Sequence, residues 1–523
     1  MTSPVFRGRP RRAGSHLSVR VAHAVVGGAA GVVWLVLPGM TTGTDTPVAI
    51  TRSTSVVAAP PQDPTDTADL VLPLLAVGAA GALAGYGYLR RVRRARDRTT
   101  PGGTAGVPPP AGSVPPSAEL DERAGAALVA ADDRIRSART ELDFTRARFG
   151  EEAVAPFARA LEDAEAEAAA AFRMRQRYDE GIPEEPAARR HALAGIIGRC
   201  EEAGRRLDAV AGDFGRLRGL EEGVGEALVV AEGRFRELTG RTAAAQSLLA
   251  GLRARYAATA SAAVAGNVEQ AKDRLVFATD RLNRARQEDD SGRLAAAARH
   301  LRAAEGAIAQ AAVLVEGVER LAAELREAEA MIPAVLTGAE AELASARGPA
   351  GSEGEAFSRL PHADAVLASV RHELTEGRPH DPVGVLRRIV RATVPPASAR
   401  TGVVATAAHL VARSATAATA DFVTTHRAAV DAPARTRLVE ARRLLAGDAP
   451  RADTLALEAR ELAEQDVRVR GNPFTAAGSG ALGTGPTAGT AGAVLGGLLP
   501  PDDPEDGAPT GFAAPTAPPA DPE

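Results

Sequence analysis

The sequence of 523 residues predicts an all-α fold: a membrane-anchored array of long antiparallel helices, in part coiled coil, with a disordered linker and tail. Three observations predict this class. A charge-free apolar stretch at 70–89 is followed at once by an arginine-rich run. Apolar residues then recur every three or four positions from about 120 to about 468. Only 3% of the residues are aromatic, which favours thin helical packing over a large globular core.

Residues 1–39 predict either a signal peptide or an uncleaved signal anchor, because a basic start precedes an apolar run. Both alternatives stay open, since the small residues Gly39 and Gly43 offer a cleavage point in a poor sequence context. Residues 40–69 are short and polar. We therefore expect a disordered extracytoplasmic loop there.

Residues 70–89 predict a transmembrane helix. Twenty residues without a charge, at a rise of about 1.5 Å each, form a helix of roughly 30 Å, which matches the hydrocarbon thickness of a bilayer. A soluble core helix is the alternative, but it would need a polar stripe that this stretch lacks. Gly81 and Gly85 have the spacing of small residues that let membrane helices pack closely, although such pairs also arise by chance in apolar segments.

Residues 90–117 predict a basic juxtamembrane segment followed by a linker rich in Pro and Gly. The positive-inside rule places the basic side chains in the cytoplasm, and basic side chains there also bind anionic lipid headgroups. We therefore expect the chain to lie at the cell membrane with its bulk in the cytoplasm. The six arginines that carry this prediction are Arg90, Arg91, Arg93, Arg94, Arg96 and Arg98.

Residues 118–346 predict long heptad-patterned helices. Six apolar stripes are separated by Gly, Pro or acidic turns, and the last stripe ends at Pro333. Repeated breaks favour consecutive antiparallel helices over one continuous rod. Many seam positions are alanine, which lets helices approach closely but buries little area. Each hairpin should therefore need support from neighbouring helices or from a second copy of the chain.

Residues 357–470 predict a shorter helical-hairpin array, with Asp381 as the N-cap and Pro382 as the first residue of one helix. Residues 471–523 are rich in Gly, Ala, Pro and Thr, so we expect a disordered tail. The helices predicted in the array cover 357–376, 382–394, 398–430, 433–446 and 450–468.

No residue pattern typical of catalysis, cofactor binding or metal binding stands out, so the sequence predicts a protein that is not an enzyme. Cys200 lies on an apolar seam, which favours a buried structural cysteine over a redox thiol. The string Gly478–Gly483 fits a dinucleotide-binding pattern but has no preceding strand or following helix. His362, His372 and His380 lack the spacing of a zinc helix, so we expect them to be solvated.

The charge balance argues against a nucleic-acid partner, because the net charge is -4. Almost all basic residues are arginine, which indicates a GC-rich genome, as in actinobacteria. Lys272 is expected to pair with Glu269 or Asp273 on the solvent face of its helix.

Four strings resemble the C-terminal half of actinobacterial TPM-domain-containing membrane proteins: Ala265–Gln287, Phe149–Leu161, Asp421–Ala441 and Ala463–Phe474. The resemblance covers most of 118–500 and implies an exported signal, one membrane span, a cytoplasmic coiled-coil region and a Gly-rich tail. It also implies an extracytoplasmic TPM domain, for which phosphatase activity has been proposed in some relatives. That domain does not fit within 40–69, so no catalytic residue is carried over.

The function expected from these patterns is a non-enzymatic, membrane-anchored cytoplasmic coiled-coil scaffold or tether. Its expected partners are membrane lipid and proteins that bind its helical surfaces, with a homo-oligomer among the possible assemblies. The alternative is an accessory or regulatory subunit of a separate membrane-associated hydrolase of the TPM type. An enzyme in its own right has the least support.

Overall fold

The computed structural model describes residues 117–220, 222–347, 355–393, 402–469, 493–499 and 511–512. Secondary structure in this part of the chain is helical and contains no strand, so the predicted all-α class is confirmed. None of the described helices is apolar and long enough to cross a bilayer. The predicted span at 70–89, with Gly81 and Gly85, and the six arginines that follow it lie outside the described residues.

The described helices are numbered here in chain order. A 3₁₀ helix at Ala258–Val264 follows the fourth α-helix, and another at Arg427–Ala429 follows the ninth. The α-helices are α1 (Ser117–Phe149), α2 (Glu151–Asp179), α3 (Pro186–Arg218), α4 (Gly225–Arg255), α5 (Asn267–Asp290), α6 (Leu294–Ala346), α7 (Glu355–Thr375), α8 (Pro382–Thr393), α9 (Val403–Thr425), α10 (Ala432–Leu444) and α11 (Ala449–Val469).

Helices α1, α2 and α3 pack together as a three-helix bundle. The predicted seams form its core, because most of the apolar residues that recur every three or four positions along these helices are buried. Leu142, Leu161 and Leu207 lie in one buried cluster, and Leu128 and Ile196 lie in a second. Helix α10 packs against α2 and α1 on the outside of this bundle.

Helix α6 is the spine of the remaining helices. It runs for 53 residues, so at about 1.5 Å per residue it is roughly 80 Å long. Helices α4 and α5 pack on it, as do α8 and α9. One cluster of buried residues includes Leu301 and Val315 of α6, and a second includes Leu325 and Val335 of the same helix. The spine therefore connects two cores along its length.

The prediction that the sixth helix ends at Pro333 is wrong, since α6 continues to Ala346. An interior proline removes one backbone hydrogen bond and costs about 3 kcal/mol in helix propensity. Ile332, Val335 and Ala339 are buried on both sides of the proline. Burial of this apolar face offsets the local cost, which a sequence rule based on proline alone does not include.

The C-terminal helices follow the predicted array closely. The backbone N–H of Gly384 donates to Asp381 Oδ1 at 3.0 Å, which confirms the predicted N-cap of α8. The long helix predicted at 398–430 is instead divided, because α9 ends at Thr425 and the 3₁₀ turn at Arg427–Ala429 redirects the chain. Helices α10 and α11 then pack on each other, and α11 packs on α9.

Two short pieces of the tail that is predicted to be disordered from 471 onward are among the described residues. Residues 493–499 and 511–512 are described, and Leu498, Leu499 and Phe512 are buried against the helices. Both pieces contain large apolar side chains that can be buried against the helices. The high Gly, Ala and Pro content of the tail as a whole does not reveal these few residues.

Candidate functional site: the tail-binding groove on α1

The side chain of Phe512 fills a groove between α1, α2 and α3. It is 1% exposed and belongs to the buried cluster that includes Leu142, Leu161 and Leu207. Its ring centroid lies 4.1 Å from that of Phe214 on α3 and 6.3 Å from that of Phe157 on α2. The Phe157 and Phe214 rings meet edge to face at 5.2 Å, so three aromatic rings meet at one point.

Two charged side chains of α1 bind the backbone on either side of this ring. Glu141 accepts hydrogen bonds from the N–H of Gly511 at 3.2 Å and of Phe512 at 3.4 Å. Arg134 Nε donates to the carbonyl oxygen of Gly511 at 2.9 Å, and its Nη2 donates to Asp208 of α3 at 2.5 Å. The groove thus pairs both the N–H groups and the carbonyl of the tail backbone.

Gly511 lies against the backbone of α1. A Cβ built at this position would overlap the backbone nitrogen and Cα of Ala138. Only glycine therefore permits the tail to come this close to α1. Close approach also places the two tail N–H groups within reach of Glu141.

Glu141 lies in a buried network of charges at the junction of α1, α3 and α6. Burial raises the pKa of its carboxyl group, while the positive charges of Arg218 and Arg302 oppose that shift. Arg218 Nη2 donates to both carboxylate oxygens of Glu305 at 2.8 and 2.7 Å. Burial alone would lower the pKa of Arg218, but Glu305 and Glu141 raise it. The tail amides supply hydrogen bonds to this buried carboxylate.

The second ordered piece of the tail, 493–499, lies against α6 and the turn after α9. Gln310 Nε2 donates to the carbonyl of Gly496 at 2.6 Å, and Arg427 Nη2 donates to the carbonyl of Gly497 at 3.1 Å. The same Arg427 nitrogen lies 3.4 Å from Ser137 Oγ of α1. Leu498 packs into the core formed by α4, α5 and α6. This piece brings the tail to the face of α1 that carries the groove.

Helix α1 also carries an acidic pair that binds a buried arginine of α10. Arg435 is 2% exposed, and its Nη1 lies 2.7 Å from Asp132 Oδ2 and 2.6 Å from Asp133 Oδ1. Arg136 adds a second contact to Asp132 at 3.1 Å. Burial would raise the pKa of Asp132, but Arg136 and Arg435 hold it well below its usual range. This network attaches α10 to the three-helix bundle.

The chain is similar to two proteins of Mycobacterium tuberculosis. They are UPF0603 protein MT2410 of strain CDC 1551 / Oshkosh and UPF0603 protein Rv2345 of strain ATCC 25618 / H37Rv. Each is 30% identical over 432 aligned residues, which cover 73% of this chain and 62% of the relative. The chain therefore spans less than two thirds of the length of these curated relatives. No family model matches the chain, and no solved structure matches it.

The similarity extends to these two mycobacterial proteins over most of this chain. The TPM domain named in the predicted resemblance is not confirmed. The assignment of the residues in the tail groove therefore depends only on the geometry of this chain.

Cys200 lies where the seam prediction places it. It is 7% exposed on α3, beside Leu193 and Ile196 in one buried cluster. Burial is the main cause that raises the pKa of its thiol to about 12, and Glu201 adds to the shift. The structure thus gives the seam cysteine a buried environment in which the thiolate is scarce.

We expect Cys200 to react with Ellman's reagent about a thousand-fold more slowly in the folded chain than in the unfolded one at pH 8. A thiol pKa of about 12 leaves far less thiolate than an ordinary value of about 8.5 does. The release of the coloured thiol is followed with and without concentrated guanidinium chloride. Because the chain has one cysteine, each signal belongs to this residue. Equal rates in both conditions would contradict the buried assignment.

The remaining candidates lie apart from the tail groove. His362 and His372 are exposed, and His372 Nε2 lies 3.2 Å from Glu376. Within the described ranges, no group of three His, Cys, Asp or Glu side chains is placed to hold a metal ion. Lys272 pairs with Glu269 at 2.9 Å, which confirms that predicted ion pair. The Gly478–Gly483 string lies outside the described residues.

Sequence reasoning missed the tail groove entirely. One signal was available, because Phe512 is the one aromatic residue in the sequence after Phe474. An aromatic side chain buries a large apolar area when it packs on a folded surface, which makes Phe512 the candidate anchor of this tail. Its partners on α1 could not be identified in this way, since Arg134 and Glu141 look like ordinary charged residues of a helix face.

Proposed function

We propose that this protein is a non-enzymatic scaffold or tether, held at the cell membrane by its segment 70–89 with its helical part in the cytoplasm. The observation that supports the scaffold role is the continuous helix α6. A helix of roughly 80 Å with two separate cores along it keeps the surfaces of its flanking helices at fixed distances. Fixed spacing of protein-binding surfaces is what a scaffold requires.

The membrane part of the proposal rests on the sequence. The charge-free stretch 70–89 has the length of a bilayer span, and the six arginines from Arg90 to Arg98 follow it directly. The same arginines would contact anionic lipid at the cytoplasmic surface, and each would contribute about 1 kcal/mol to the free energy of membrane binding. A reporter fused after Glu523 should be active only on the cytoplasmic side. Activity on the outer side would contradict the proposed orientation.

The scaffold role is tested by crosslinking the tagged full-length chain in intact actinobacterial cells and identifying the captured proteins by mass spectrometry. The matched control carries residues 1–116 fused to an inert soluble protein, so that it shares the membrane segment but lacks the helices. We expect the full chain to capture a reproducible set of proteins that the control does not. Identical capture by both chains would contradict a scaffold role of the helices.

A second candidate is an accessory or regulatory subunit of a separate membrane-associated hydrolase of the TPM type. The observation that favours it is the tail groove, because occupancy of a peptide-sized site by a chain's own tail is typical of regulated binding. The two functions are separated by co-purification. A captured hydrolase whose turnover changes when the full-length chain is added would support the second function over the first.

A further inference from the structure

Three features of the groove on α1 act together on a two-residue peptide segment. The rings of Phe157 and Phe214 enclose one aromatic side chain. Arg134 and Glu141 bind the backbone N–H and carbonyl groups beside it. The backbone of α1 at Ala138 leaves no room for a Cβ in the preceding residue. The aromatic enclosure, the backbone pairing and the steric limit together select glycine followed by phenylalanine.

We propose that this groove is a peptide-docking site for a Gly–Phe pair, and that its resident occupant is the chain's own Gly511–Phe512. The occupant leaves and re-enters the groove while α1, α2 and α3 stay folded. The bundle has an apolar core of its own in Leu142, Leu161 and Leu207, so the helices do not need the tail to pack on one another.

The chain's own tail is the occupant because a second contact brings it to the same face. Residues 493–499 bind Gln310 and Arg427, and Arg427 also reaches Ser137, one helical turn from Arg134 and Glu141 on α1. Such an anchor gives the following Gly–Phe pair a high effective concentration at the groove. Release of the tail exposes Phe157, Phe214 and the buried carboxylate of Glu141, and closure covers them again.

Fluorescence anisotropy tests the proposal with the purified full-length chain in detergent micelles. The probe is a labelled peptide of residues 505–516, EDGAPTGFAAPT. The wild-type chain should bind it weakly, because the tethered tail competes. The Phe512→Ala chain, whose own tail lacks the aromatic ring, should bind it at least tenfold more tightly. Two matched peptides, one with Gly511→Ala and one with Phe512→Ala, should not bind.

Equal binding of the peptide to both chains would overturn the proposal, and so would equal binding of the Gly511→Ala peptide. Circular dichroism shows whether the Phe512→Ala chain keeps its helices. If it unfolds, a wild-type chain with a protease site inserted between 499 and 511 replaces it, and the peptide should bind only after cleavage. A concentration-dependent dimer that separates on loss of Phe512 would assign the groove to the tail of a second copy and overturn the assignment within one chain.

Discussion

Replacing Arg435 with methionine should lower the free energy of unfolding by about 3 kcal/mol. The variant keeps an unbranched apolar chain in place of the arginine stem but removes the charge that faces Asp132 and Asp133. It also removes the donors to the carbonyl oxygens of Val430 at 3.1 Å and Arg427 at 2.6 Å. A chain of this size should lose roughly 3–4 °C in melting temperature, which far-UV circular dichroism measures.

The effect of Arg435→Met should depend on pH. Because Arg136 and Arg435 depress the pKa of Asp132, this carboxylate stabilises the fold above its unfolded pKa, near 4. That stabilisation is lost as the pH falls through the lower folded value. Removing Arg435 brings the folded pKa closer to the unfolded one. The destabilisation should therefore be larger at pH 7 than at pH 3, as urea titrations at the two pH values would measure.

Lys272→Met is the matched control for this variant, since it also replaces a paired cation with methionine. Lys272 and its partner Glu269 are both exposed, and exposed pairs are worth about 1 kcal/mol or less. The control should shift the melting temperature only slightly. If both variants lower the free energy of unfolding by the same amount, the buried network does not attach α10 to the three-helix bundle in the way the contacts indicate.

Periodicity predicted the helical cores well because burial itself is periodic in a helix bundle. Leu193, Ile196, Cys200 and Leu207 follow the three- and four-residue spacing of one helix face, and each is buried. The periodicity predicts burial whichever helix packs against the apolar face, since any neighbouring helix buries that face. It therefore identifies which residues are buried without saying which helices meet, and the packing of α10 on α1 was not predicted.

The helix boundaries and the tail groove depend on contacts between helices, which the spacing of apolar residues in the sequence does not reveal. Pro333 predicts a helix end, yet α6 continues through it because the residues around it are buried. Composition predicts disorder for Gly511 and Phe512, because it averages over many residues and two anchoring residues hardly change the average. The groove itself requires α1, α2 and α3 to be assembled before it exists. A site formed by tertiary packing leaves no pattern in any one segment.

Replacing Leu325 with alanine should cost about 3–5 kcal/mol of unfolding free energy. Leu325 is 0% exposed, near the middle of α6, in the cluster that also contains Leu252 of α4, Ile389 of α8 and Val411 of α9. Alanine removes three carbon atoms from the meeting point of these helices. Rigid helices on several sides cannot move in together to fill the space, so a cavity should remain. Urea unfolding followed at 222 nm measures the change.

Val229→Ala in α4 is the matched control, because it also shortens an aliphatic side chain on a helix of the same group. Val229 is 65% exposed, so its truncation should change the free energy of unfolding by no more than about 0.5 kcal/mol. Alanine also has the better helix propensity, which offsets part of any loss. A similar loss of unfolding free energy in both variants would mean that the cluster around Leu325 does not join α4, α8 and α9 to α6. The fixed spacing proposed for the scaffold would then lose its physical basis.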